Sequence, residues 1–141
     1  MNTINSFKGE HGFLSNFYPS LITVSAWSFP TVEHYFQACK MTTVEDFEAV
    51  RTARSPGIAK QLARAKLRRD DWENVKESFM KFALQEKFKD LDLRAKLLAT
   101  GDAILREGNT WGDVYWGVCK GKGQNRLGIL LMQVRQEIAN A

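Results

Sequence analysis

From Thr31 onward, apolar residues recur three and four positions apart in segments closed off by helix-starting and helix-ending residues. This punctuation is the strongest constraint on what the chain can fold into. In Thr31–Met41 the stripe is Val32, Tyr35, Phe36 and Cys39. Thr43 is placed to cap a second helix near 44–53. Ser55 followed by Pro56 then starts a third that runs to about Lys66: serine accepts an orphan backbone N–H, and proline loses nothing at the first helical position. Asp70 and Asp71 can cap a long fourth helix whose predicted face is Trp72, Val75, Phe79 and Phe82. Leu91–Thr100 follows and stops at Gly101, while a last helix, about 125–139, carries Leu127, Leu130, Leu131, Val134 and Ile138.

The amino-terminal part reads differently. Residues 4–29 mix aromatics with Gly9, Gly12, Asn16, Pro19 and Ser20, and Leu21–Trp27 favours strand. Ala103–Leu105 and Asp113–Cys119 are further short strand candidates. The expected fold is mainly α, of α+β type: a single compact helical domain over 1–141 with a small β-sheet. No repeat or low-complexity linker divides the chain, whose 141 residues suit one domain.

No run approaches the roughly 18 apolar residues that span a bilayer, and the opening MNTINSFKGEHG has no apolar signal segment. A cytoplasmic protein without membrane association is expected, with no obligate protein partner evident. Cys39 and Cys119 lack CxxC spacing and read as free thiols. His11 and His34 are too isolated for a zinc site, and neither GxSxG nor HExxH occurs, so chemistry without metal or cofactor is expected. The net charge of +4 and isoelectric point near 9.2 suit an anionic ligand without specifying one.

FPTVEHYFQACK is the most informative segment. Glu33 and Lys40 are seven apart, so on a helix they differ by about 20° in azimuth and about 10.5 Å in height. Both fall on the shoulder of the apolar stripe beside Gln37, with Lys40 leaning back toward Glu33. A carboxylate there can stabilise charge at an anomeric carbon or activate water, and a desolvated lysine can act as acid or nucleophile. The same spacing equally suits an ordinary helix with Glu33 at its positive end and Lys40 at its negative end.

Other segments offer binding groups. GEHGFLSNFYPS presents Asn16 for hydrogen bonds to a base or ribose, with Phe17 or Tyr18 to stack on a ring, although an aromatic core edge would look alike. Lys60, Arg64, Lys66, Arg68 and Arg69 can contact diphosphate or nucleic-acid backbone, or form a solvated face. WGDVYWGVCKGKGQNRLG interleaves Asp113, Trp116, Lys122 and Asn125 with glycines before a helix, a setting that suits phosphate but matches no Walker or dinucleotide pattern.

In order, GFLSNFYPS, FPTVEHYFQACK, ARSPGIAKQLAR, RRDDW, LLATGDAIL and WGVCKGKGQNRLGILLMQVR resemble the NADAR family over nearly the whole chain. That resemblance implies a mainly helical fold and cleavage of N-glycosidic bonds, in ADP-ribosylated guanine or in ribose-phosphate intermediates of riboflavin synthesis. It implies catalytic roles for Glu33 and Lys40, a supporting one for Asp113, and binding roles for Asn16, Phe17, Arg64, Trp72, Trp116, Gly117 and Asn125. A small-molecule nucleotide or ADP-ribosylated nucleic acid would be the substrate. Cys119 stands where many members have a second glycine after WG, and Ala63 where LGR is frequent, which bears on substrate choice. Two rivals stay open: a non-catalytic module binding ADP-ribose or NAD-like ligands, and a basic nucleic-acid-binding protein.

Overall fold

The computed structural model describes residues 2–141, which form two compact units: residues 16–87, and residues 2–15 with 88–141. The first opens with a hairpin. β1 (Thr3–Ile4) belongs to the other unit, and the hairpin strands are β2 (Ile22–Val24) and β3 (Trp27–Phe29), paired antiparallel with Val24 opposite Trp27. Its two-residue turn begins at Ser25, whose φ of 56° lies in the left-handed region that such tight turns require.

Four helices complete this unit: α1 (Val32–Ala38), α2 (Val44–Arg51), α3 (Pro56–Arg64) and α4 (Trp72–Lys87). The caps expected at Thr43 and Ser55 are in place, their hydroxyls accepting from the backbone N–H groups of Asp46 and Ile58, and Thr31, expected inside the first helix, caps it by accepting from the N–H of His34. Asp71 does otherwise: its carboxylate receives two bonds from the Arg69 guanidinium.

Every residue of α1 is buried, which makes this short helix the axis against which α2, α3 and α4 pack. Burying polar groups this way is tolerated only if they are bonded. His34 shows how: its Nε2 is 2.9 Å from the Ala53 carbonyl and therefore donates, while Nδ1, 2.9 Å from the Thr31 hydroxyl, accepts. Burial pushes the imidazole below its usual value, consistent with a neutral ring tying α1 to the α2–α3 connection.

The face of α4 differs from the periodicity reading. Its buried residues are Trp72, Met80, Ala83, Leu84 and Lys87, while Val75 and Phe79 are half-buried and Phe82 is exposed. The cause is aromatic: Phe79 stacks on Trp72 at 5.8 Å, and Tyr35 lies within 6.4 Å of Phe79 and 6.0 Å of Phe82, so these rings cover one another at the rim.

In the other unit, a 3-10 turn covers Gly9–Leu14 and two helices follow, α5 (Leu91–Ala99) and α6 (Arg126–Ala139). α5 is capped by Asp90 and ends at Gly101, where φ is +63°. α6 buries Leu127, Leu130, Leu131 and Val134, whereas Ile138 near its end is half-buried. The strands are short: β1 pairs in parallel with β4 (Ile104–Leu105), and β5 (Gly108–Asn109) with β6 (Val118–Cys119). The expected strand over 113–119 is thus mostly loop. Among the described residues no helix is long and apolar enough to cross a membrane.

Candidate active site

α1 delivers Glu33 and Gln37 one turn apart on the same side, both within the core at 7% and 4% exposure. The Gln37 Nε2 donates to Glu33 Oε2 at 2.6 Å, and the Glu33 backbone N–H donates to the Asn16 carbonyl. The neighbouring amide therefore holds the carboxylate, and the neighbouring loop holds the backbone that carries it.

Lys40 lies beyond the helix, whose last residue is Ala38 and whose C-cap is Cys39. The helical continuation to Met41 gives way because the chain turns to pair Met41 with Arg68, and the Arg69 N–H donates to the Lys40 carbonyl at 2.8 Å. This return of the 66–69 segment brings more cations beside Lys40. The Lys40 ammonium stands 5.4 Å from the centre of the Phe36 ring and 5.7 Å from that of Trp72, so two π faces partly replace its water. Burial lowers its pKa, Glu33 opposes that by favouring the charged form, and Arg68, Lys60 and Arg64 push it down again. Glu33 and Lys40 are thus electrostatic neighbours, although the helix expected to carry both is shorter.

A cleft of about 240 Å³ opens over Lys40 and Gln37, lined by these two with Lys60, Ala63, Arg64, Lys66 and Arg68, and Glu33 lies behind Gln37, bonded to its amide. Two cations are partly spoken for, Lys66 by Asp46 at 3.1 Å and Arg68 by Glu73 at 3.2 Å. Among the described residues no carboxylate lines the cleft, so Lys60, Arg64, Lys66 and Arg68 of the basic run form a concave positive wall, while Arg69 turns to Asp71. Asn16 is half-buried with its Oδ1 lacking a hydrogen-bond partner, and Phe17 is 44% exposed. Trp72 is buried, with Lys40, Phe36 and Phe79 against its ring.

The remaining site residues inferred from the sequence lie in the other unit. Asp113 Oδ1 accepts from the N–H groups of Tyr115 and Trp116, at 3.1 and 2.9 Å, which folds the loop locally. Asn125, left-handed at φ 53°, donates to the Leu105 carbonyl and accepts from the Glu107 N–H. Gly117 is buried against Glu107, whose side chain and carbonyl occupy the space a Cβ would need. Glu107, which also accepts from the Asn109 amide, is the hub of this network and carried no sequence signal. Lys87 was equally silent: it is 1% exposed, with its ammonium 5.7 Å from the Tyr18 ring. Among the described residues no group of His, Cys, Asp and Glu is assembled to hold a metal ion.

A mainly helical chain with a buried carboxylate, a desolvated lysine and a basic cleft defines the class, and comparison with known proteins supplies the family. The NADAR domain model matches residues 5–139, and the chain belongs to that family. It is 44% identical to N-glycosidase YbiA of Escherichia coli (strain K12), covering 95% of this chain and 86% of that protein. It is also 40% identical to N-glycosidase Npun_R5314 of Nostoc punctiforme, over 92% of this chain and 87% of the relative. Riboflavin biosynthesis protein VVA0006 of Vibrio vulnificus is 42% identical over 92% of this chain but only 36% of its own length. The solved NMR structure of E. coli YbiA superposes with a TM-score of 0.87 at 43% identity, covering 99% of this chain and 86% of that one.

Proposed function

We propose that this protein hydrolyses the N-glycosidic bond of ribose-phosphate compounds, with Glu33 and Lys40 acting at the anomeric carbon. It is an N-glycosidase, a hydrolase of N-glycosyl bonds, as its relatives' names state of them. The observation that carries the finer reading is the Lys40 ammonium, desolvated between two rings beside Glu33, at the edge of a cleft whose other cations are Lys60, Arg64, Lys66 and Arg68. Substrate phosphate sits against those cations, and the sugar lies toward Gln37 and Lys40. Asn16 and Phe17 are assigned to the base.

Two routes use the same groups. In the direct one, Glu33 takes a proton from water as it adds to C1, the C1–N bond breaks, and Lys40 returns a proton to the departing base. In the covalent one, the neutral Lys40 amine forms the bond to C1 as the base leaves with a proton. The ring then opens to an imine, and water releases the ribose phosphate and restores the amine. The lowered pKa of Lys40 enlarges its neutral fraction and favours the second route. Asp113, Trp116, Gly117 and Asn125 are assigned to the shape of the loop around Glu107.

The substrate arms are a riboflavin-pathway ribosylamine phosphate and ADP-ribosylated guanine; the number of cations in the cleft suits a diphosphate as well as a monophosphate. Each is incubated with wild type, Glu33→Gln and Lys40→Ala, and the released sugar is identified by mass spectrometry, with borohydride added to trap an imine at Lys40. The expected loss in either variant is about 10²–10⁴-fold in rate. Turnover equal to wild type in Glu33→Gln refutes the reading, and tight ADP-ribose binding without any turnover leaves a binding module instead.

A further inference from the structure

We infer that Gln37 is a specificity-determining residue whose Oε1 accepts a hydrogen bond from a ribose hydroxyl, so that the site selects ribosides over deoxyribosides. The inference rests on the reading of the Glu33–Lys40 cleft as the sugar site.

Gln37 is the one uncharged polar side chain lining the cleft, and its amide has two ends in different circumstances. The Nε2 is committed to Glu33 at 2.6 Å, a short bond to a carboxylate that fixes the orientation of the amide plane. With the nitrogen turned to Glu33, the Oε1 must point away from it. That oxygen is buried and has no hydrogen-bond partner among the described residues. A buried acceptor left unpaired costs about 1–3 kcal/mol, and native structures keep few of them. Turning the amide over offers no escape, because it would set the oxygen against the Glu33 carboxylate.

The missing partner must be a donor, which decides the chemistry. The cations around the cleft are donors, yet none of them bonds this oxygen, and phosphate oxygens only accept. Of the groups on a ribose phosphate, the hydroxyls alone both donate and lie next to the carbon on which Glu33 and Lys40 act. The acceptor therefore waits for a hydroxyl that arrives with the sugar, and a sugar lacking it leaves the desolvated oxygen unpaired. Sites of this kind reject the analogue that lacks the donor.

The test is calorimetric, so it does not depend on turnover. Ribose 5-phosphate, 2-deoxyribose 5-phosphate and 3-deoxyribose 5-phosphate are titrated into wild type and Gln37→Met, each first checked for a cooperative melt. Wild type is expected to bind ribose 5-phosphate roughly 5- to 150-fold more tightly than one of the deoxy sugars. The ratio should fall to within about twofold in Gln37→Met, which has no acceptor. No preference in wild type, no binding of any of the three, or a preference that survives in Gln37→Met overturns the inference; the first two need no variant to fold. Hydroxyl preference without hydrolysis of any N-glycoside sinks the catalytic reading and spares this one, and hydrolysis without preference does the reverse.

Discussion

Replacing Lys87 by methionine changes the way stability responds to pH. Lys87 closes α4 with 1% of its surface exposed, and burial pushes its pKa from the ordinary 10.5 down to about 7. The sign follows from proton counting. Between about pH 7 and 10.5 the unfolded lysine is protonated while the folded one is largely not, so unfolding takes up a proton and stability rises with pH. The cost of burying the charge is fully present below pH 7 and has gone above 10.5. Inside that window the slope is about 1.36 kcal/mol per pH unit. From pH 7.5 to 9.5 wild type should therefore gain roughly 2.7 kcal/mol relative to Lys87→Met, in which every other titration cancels. For a chain of this size that is a relative shift of about 8 °C in melting midpoint. Circular-dichroism melts of both proteins at four pH values measure it. Curves that stay parallel across the window would mean that Lys87 keeps an ordinary pKa in the folded protein, and the argument from burial would fail.

The other expectations are simpler. Arg64→Gln and Lys60→Gln should raise KM for a phosphorylated N-glycoside while leaving a dephosphorylated one nearly unchanged, and added salt should shrink the difference; equal effects on both substrates would remove phosphate from the cleft. Gly117→Ala should cost about 1–3 kcal/mol, because its Cβ needs space held by Glu107, and chemical denaturation reads this directly. His34→Leu should lose a comparable amount, since the Ala53 carbonyl and Thr31 hydroxyl are left without their partner; an unchanged denaturation midpoint would contradict the bonding described.

What could be read ahead of the structure was local. Thr43 and Ser55 announce their helices because a cap is a contact three residues long, and Gly101 ends α5 for the same reason. Glu33 and Lys40 stood out as charges on an apolar shoulder, and the run from Lys60 to Arg69 as a concentration of cations. The rest depended on distant partners. α1 stops short of Lys40 because residues 66–69 come back to meet it, which no periodicity in 31–41 encodes. The face of α4 turned away from the prediction because Trp72, Phe79 and Tyr35 satisfy one another as rings rather than as members of a stripe. Nothing in the sequence marked Lys87, and Gln37 was noted only for lying beside Glu33 and Lys40. Their importance lies in burial, which depends on what the chain folds over them.

The pairing of Thr3 with Ile104 has a consequence for the living history of the molecule. Thr3 leaves the ribosome about a hundred residues ahead of its partner, and the whole of 16–87, with its own four helices, is synthesised in the interval. At the usual pace of translation that wait lasts roughly 5–20 seconds. The Thr3–Ile4 strand is thus made long before it finds its place, and a nascent chain cut short before residue 104 would carry Glu33 and Lys40 beside a strand still without its mate.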